Sequence, residues 1–175
     1  MTIIIGIDPG SRLTGFGVIE VRGNQSFYRA SGCLKITAEN SGDRLQQIFS
    51  GIKQVVQQHQ PQEAAIEQIF MSQNPSSALK LGQARGAAIV ALELPIAEYS
   101  ARQVKQAIVG YGAAKKDQVQ HMVKRLLNIN EELQADAADA LAIALCHAHS
   151  RLSLRPLTVR RKKQTSWRDF RPEEI

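Results

Sequence analysis

Ile3-Ile4-Ile5-Gly6-Ile7-Asp8-Pro9-Gly10 is the stretch from which the rest of the chain can be read. Four isoleucines within five positions describe a strand buried on both faces, because β-branched side chains fit a pleated, packed surface. The strand delivers a carboxylate, Asp8, to its C-terminal end. Pro9 cannot donate to a ladder and Gly10 allows φ > 0, so the chain is expected to turn there. A carboxylate at the mouth of a buried strand is costly to desolvate and calls for a partner, a donor or a metal ion. Asp8 as a turn-former bonded to its own backbone is the alternative, and this stretch alone leaves both open.

The bulk composition narrows the classes. At 175 residues the chain is long enough to bury one real core, and 43% hydrophobic content suits a globular protein. No apolar run approaches the roughly 20 residues that span a bilayer, so no membrane association is expected. No basic segment followed by an apolar run and a cleavage site is present, so no secretory signal is expected and the location is read as cytoplasmic. Cys33 and Cys146 match no metal spacing and read as free core thiols in a reducing compartment. The net charge of +6 suggests a polyanionic partner. Residues 80–125 carry eight basic against three acidic side chains, whereas 126–150 carry four acids and no Lys or Arg. A basic region therefore stands apart from an acidic one; a solvated face is the bland explanation of the former.

Outward from the first strand, Leu13 to Val21 and Ser26 to Ile36 read as two further strands with a Gly23-Asn24 hairpin signal between them. Leu45, Ile48, Phe49, Ile52, Val55 and Val56 then fall at helical spacing in Ser41 to His59, which Pro61 ends. Ala64 to Phe70 is a buried strand that again carries a carboxylate, Glu67. A helix leading to a strand beside the first implies a right-handed crossover and parallel pairing. Asn74-Pro75 opens a helix rich in Ala and Gly that runs to about Leu92; its small residues allow close approach to the sheet or to the same helix of a second subunit, and the sheet is the expected partner. Pro95 to Tyr99 is a fifth strand. Ser100 and Gln103 form a capping box for a helix carrying Arg102 and Lys105. Gly110-Tyr111-Gly112 breaks that helix, and the following segment carries Lys115 and Lys116. The last helix begins at Asp136-Ala-Ala-Asp139, whose two acids lie on one face. Acids near a helix N-terminus are also ordinary, because the macrodipole favours them by about 0.3–1 kcal/mol. His59, His121, His147 and His149 read as surface or packing residues. Residues 151–175 hold eight basic and three acidic side chains and lose apolar periodicity, so a basic flexible tail is expected after a domain spanning 1–150.

Side-by-side parallel first and fourth strands would put Asp8 and Glu67 together at one end of the sheet. A last helix crossing that end could add Asp136 and Asp139. Such acids repel one another by roughly 4 kcal/mol per pair at about 4 Å and an effective dielectric of about 20. Hard divalent cations such as Mg²⁺ offset that cost, and Mn²⁺ suits the same oxygen ligands. Two such ions about 3.5–4 Å apart clamp an in-line phosphoryl displacement.

Five motifs in order carry a family resemblance: Gly6-Ile-Asp8-Pro-Gly10-Ser with Thr14-Gly15; Ala65-Ile-Glu67-Gln with Phe70-Met71; Ala78-Leu-Lys80-Leu-Gly-Gln-Ala-Arg85-Gly; Ala101-Arg102-Gln-Val-Lys105; and Asp136-Ala-Ala-Asp139-Ala-Leu-Ala. Together they resemble the RuvC family of Holliday junction resolvases over nearly all of residues 1–150. The resemblance implies an α/β, ribonuclease H-like fold: a five-stranded mixed sheet of three antiparallel and two parallel strands, flanked by helices. It implies a homodimeric, Mg²⁺-dependent endonuclease, with two ions per active site, that resolves four-way DNA junctions by paired symmetric nicks in recombination and repair. RuvA and RuvB branch-migration proteins are the implied partners. Asp8, Glu67, Asp136 and Asp139 are then the catalytic, metal-holding acids. Lys105 and Lys116 approach the DNA and Phe70 contacts bases; Met71, Lys80, Arg85, Arg102 and Lys115 complete the expected DNA-contacting set. A module that binds junctions without cutting is the alternative, and it leaves the four acids unexplained.

Overall fold

β1 (Thr2–Asp8) is the middle strand of five, and its alternation divides the protein into two cores. The computed structural model describes residues 1–68 and 74–153. β2 (Leu13–Arg22) runs antiparallel beside β1, and β3 (Gln25–Lys35) antiparallel beside β2. β4 (Glu63–Glu67) lies parallel on the other side of β1, and β5 (Ile96–Tyr99) parallel beside β4. The sheet order is β3-β2-β1-β4-β5, the expected three antiparallel and two parallel strands.

Successive strand residues point to opposite faces. Ile3, Ile5 and Ile7 join one core with Ile48 and Ile52 of α1 (Ser41–His59) and with Ala84, Ala88 and Ala91 of α2 (Pro75–Leu92). Ile4 joins the other with Leu141 and Leu145 of α5 (Ala135–Ser153), Val104 and Ile108 of α3 (Ala101–Val109), and Val119 and Val123 of α4 (Lys116–Leu126). A strand fully buried on both faces is therefore what the isoleucine run encodes.

Local chemistry sets the helix ends as expected. The Asn40 and Asn74 side chains accept from the first-turn amides of α1 and α2, and Pro75 opens α2. Ser100 and Gln103 form the capping box of α3, and Gly110 ends it at φ 92°. Two details differ from the sequence reading. Gly10 does not adopt positive φ; it is required because a Cβ there would lie 2.0 Å from the Leu13 carbonyl oxygen. The small residues of α2 are not a uniform sheet-packing surface. α2 packs along α1, and Ala84, Ala88 and Ala91 are buried, while a Cβ at Gly82 or Gly86 would meet nothing within 4 Å.

The helix that does press its backbone onto the sheet is α5. Gly6 lies opposite Gly17, and Asp8 opposite Gly15, so three glycines share the α5 face of β1 and β2. A Cβ on Gly6 would stand 2.1 Å from the Ala140 carbonyl oxygen, one on Gly15 2.1 Å from that of Asp136, and one on Gly17 2.6 Å from the Leu141 amide nitrogen. This glycine seat lets α5 lie closer than any side chain permits. α5 continues to Ser153; the remainder of the basic tail, 154–175, lies outside the described residues.

Candidate active site

The seat brings the acids together. Asp8 is the last residue of β1 and shares the face of Ile4 and Gly6, toward α5. The parallel register pairs Ile7 with Ile66, so Glu67 follows at the same end of the sheet. The seated first turn of α5 adds Asp136 and Asp139, three residues apart on one face. One carboxylate oxygen each from Asp8, Asp136 and Asp139 lies within 4.8 Å of the other two. Glu67 lies outside that triplet, yet its charge raises the Asp8 pKa, and Asp139 raises its own.

Burial pushes the Asp8 carboxyl up to about 7, with Glu67, Asp139 and Asp136 adding to the rise. Glu67 is raised by burial first and by Asp139 second, against Lys116 and Lys105, which lower it. Lys116 Nζ lies 2.6 Å from Asp139 Oδ2 and is the cation paired directly with the cluster. Among the described residues the acids thus hold more negative charge than their one paired lysine offsets, and all four side chains are partly exposed. Oxygen donors, excess negative charge and an open side are what a hard divalent cation requires, so the donor set fits.

A pocket of about 190 Å³ adjoins the cluster. Glu67, Lys105, Lys116 and Asp139 form its polar side, and Val104, Val119, Ala142 and Ile143 its apolar side. Lys105 and Lys116 therefore border the acids. Lys80, Arg102 and Lys115 are exposed on the surface. Arg85 differs: its side chain is only 19% exposed, and its guanidinium faces Glu98 at 2.7 Å. Phe70 and Met71 lie outside the described residues.

Other side chains were less legible. Cys33, expected in the core, is only partly buried and sits opposite Gly15, where burial and the Asp136 charge raise its thiol. Cys146 is buried and its thiol is pushed up to about 11, as a core thiol should be. His147 bridges the Tyr99 hydroxyl at 2.8 Å and Glu63 at 2.9 Å, and His149 packs against the Ala107 carbonyl, so both are packing residues.

A mixed five-stranded sheet with helices on both faces and a carboxylate cluster at the end of its central strand defines the ribonuclease H-like class of nucleases. Comparison with known proteins narrows the class. The family model for crossover junction endodeoxyribonuclease RuvC matches residues 4–147, and the chain belongs to that family. It is 55% identical over 168 residues to the crossover junction endodeoxyribonuclease RuvC of Shewanella sp. (strain W3-18-1), covering 94% of this chain and 97% of the relative. It is 58% identical over 162 residues to that of Acinetobacter baumannii (strain ATCC 17978), covering 91% and 90%. The structure of Thermus thermophilus RuvC in complex with a Holliday junction substrate superposes with a TM-score of 0.81 at 34% identity, covering 87% of this chain and 97% of that one.

Proposed function

We propose that this protein is a divalent-cation-dependent endonuclease that resolves four-way DNA junctions by paired nicks in opposing strands. The observation that carries the reading is the convergence of Asp8, Asp136 and Asp139 beside Glu67, with the Asp8 carboxyl pushed up to about 7 by burial first and by the neighbouring acids second. A module that only binds DNA has no use for so much uncompensated negative charge beside a polyanion.

Asp8, Glu67, Asp136 and Asp139 would hold the cations, Mg²⁺ by the hardness of the oxygen set and Mn²⁺ as its substitute. When bound, such ions activate water and stabilise the leaving oxygen of a phosphodiester. The chain's own cations act around them. Lys105 and Lys116, on the pocket wall, attract and orient the scissile phosphate. Lys116 exchanges Asp139 for that phosphate as the cluster's charge is neutralised. Lys80, Arg102 and Lys115 hold neighbouring phosphates, fixing register without reading sequence. Phe70 stacks on bases at the branch point, where partly unpaired bases are accessible at least cost, and Met71 is a further proposed DNA contact.

Two cuts in opposing strands call for a two-fold assembly. The exposed face of α2 supports a homodimer: Leu79 and Val90 are each 64% exposed there, with Gly82 and Gly86 open between them. Such a stripe gives a second copy apolar anchors and room for close approach. RuvA and RuvB branch-migration proteins are the partners proposed for the assembly, and the cytoplasm its location. The described helices include none long and apolar enough to cross a membrane.

The test is a cleavage assay on a labelled four-way junction and a linear duplex of the same sequences, with Mg²⁺ and with chelator. Symmetric nicks in the junction alone, dependent on Mg²⁺ and lost in Asp139→Asn, are expected. Tight junction binding without cutting under any divalent cation would overturn the reading in favour of the binding module.

A further inference from the structure

We infer that Arg85 is a positioning residue for Glu67, acting with Glu98 as a clamp on the catalytic end of β4, and not a DNA-phosphate contact. The inference rests on the nuclease reading above. β1 ends at Asp8, and the next residue, Pro9, has no amide to extend the ladder toward β4. β5 holds the end of β4 on one side, through the Gln68 amide donating to the Tyr99 carbonyl at 2.8 Å. The Glu67 carbonyl is met instead by a side chain from the opposite layer: Arg85 Nε of α2 donates to it at 3.1 Å. The same guanidinium lies 2.7 Å from Glu98 Oε2 on β5. One planar cation thus ties α2, β4 and β5 at the residue that carries the Glu67 carboxylate.

Charge and exposure argue in the same direction. The Arg85 side chain is 19% exposed and already faces a carboxylate, whereas Lys116 is 57% exposed. A guanidinium so placed would have to leave the half-buried Glu67 carbonyl to which it donates, and the Glu98 carboxylate it faces, to reach a phosphate. Its contact is with the backbone, and what it sets is where the carboxylate stands. Partners of this kind, one shell behind metal-holding residues, typically alter metal affinity or activity by roughly 10–100-fold when removed.

Arg85→Met, Arg85→Lys and Glu98→Gln separate positioning from phosphate contact. Junction affinity and its salt dependence are measured in Ca²⁺ by gel shift, and single-turnover cutting is measured at saturating junction across a Mg²⁺ titration. For Arg85→Met the expected result is junction affinity within about twofold of wild type and an unchanged salt slope. Cutting at saturating junction falls roughly tenfold or more, and the Mg²⁺ half-saturation rises. Arg85→Lys, which retains the charge and one donor to the Glu67 carbonyl, recovers part of the rate. Glu98→Gln is the deciding variant, since removing an acid can only help a DNA-binding surface; slower cutting with a raised Mg²⁺ half-saturation is expected. The inference is overturned if Arg85→Met weakens binding and lowers the salt slope by about one while cutting at saturation is unchanged, the signature of a lost phosphate contact. It is also overturned if Glu98→Gln cuts at the wild-type rate and Mg²⁺ dependence. Wild-type protein that fails to nick the junction would instead overturn the nuclease reading itself.

Discussion

Replacing Asp8 by Asn should stabilise the cation-free protein at alkaline pH while abolishing cutting. The folded Asp8 carboxyl titrates at about 7 against 3.8 in a free chain. Between those values the folded state holds a proton that the unfolded state has lost, so stability falls as pH rises through the window and the penalty is complete above about 7. At about 1.36 kcal/mol per unit, the full span from 3.8 to about 7 sets a ceiling of about 4 kcal/mol, of which about 2.7 belongs to the part above pH 5. Water reaches the partly exposed carboxylate from the cleft and screens its neighbours, which leaves about 1–2 kcal/mol. Asn does not titrate. Urea unfolding in chelator should therefore show the advantage of Asp8→Asn over wild type growing by about 1–2 kcal/mol from pH 5 to 8.5, or roughly 2–8 °C in a thermal scan of a domain this size. Saturating Mg²⁺ should reverse the order, stabilising wild type by mass action and leaving the variant unmoved. An advantage that does not change with pH in chelator would refute the account of why Asp8 is raised.

Gly15→Ala should cost about 1–3 kcal/mol in urea unfolding and slow cutting more than its stability loss explains, because its Cβ would fall 2.1 Å from the Asp136 carbonyl oxygen. Lys116→Met should move the acid limb of the cutting–pH profile to higher pH, since Lys116 lowers both Asp8 and Glu67; a profile that shifts to lower pH would contradict that placement. Lys115→Ala and Lys80→Ala, each removing an exposed cation proposed to hold a phosphate, should weaken junction binding similarly for all sequences and reduce the salt slope by about one each, read from gel shifts at several salt concentrations.

The fold was legible because two sequence periods carried most of it. Ile3 to Ile7 announced burial on both faces, and the crossover through α1 placed Glu67 beside Asp8. The Asp136–Asp139 pair could be put on one helix face by spacing alone. The sequence did not show how α5 reaches the acids. Gly6, Gly15 and Gly17 read singly as weak strand residues; only the β1–β2 register, which pairs Gly6 with Gly17 and Asp8 with Gly15, turns them into a seat. The contacts of Arg85 were hidden for a related reason. Its partners are a backbone carbonyl 18 residues away and an exposed acid on an adjacent strand, and in a basic region any arginine resembles a phosphate ligand. Cys33 was misplaced because an apolar strand context says nothing about which strands are edges, and β3 is one of the two edge strands.

The same packing explains why the acids keep their repulsion. Three carboxylates within 4.8 Å would separate if α5 could slide or tilt by an ångström or two. It is held at both ends. At its N-terminal half, backbone lies on glycine, and movement toward the sheet is blocked by direct contact. At its C-terminal half, His147 joins Tyr99 and Glu63, and Arg151 reaches Glu63 at 2.9 Å and Thr2 at 3.3 Å, so α5 is tied to β1, β4 and β5 together. Burial keeps the His147 ring on the neutral side, which lets it link the Tyr99 hydroxyl to the Glu63 carboxylate without adding a charge to the core. Neither anchor touches the carboxylates. The acids therefore cannot relax by moving the helix that bears two of them, and relief must come from protons, from Lys116 or from cations drawn in from solution. A loosened distal anchor, as in His147→Phe, should accordingly reduce the pH-dependent destabilisation in chelator and weaken Mg²⁺ stabilisation together, without altering any residue of the cluster.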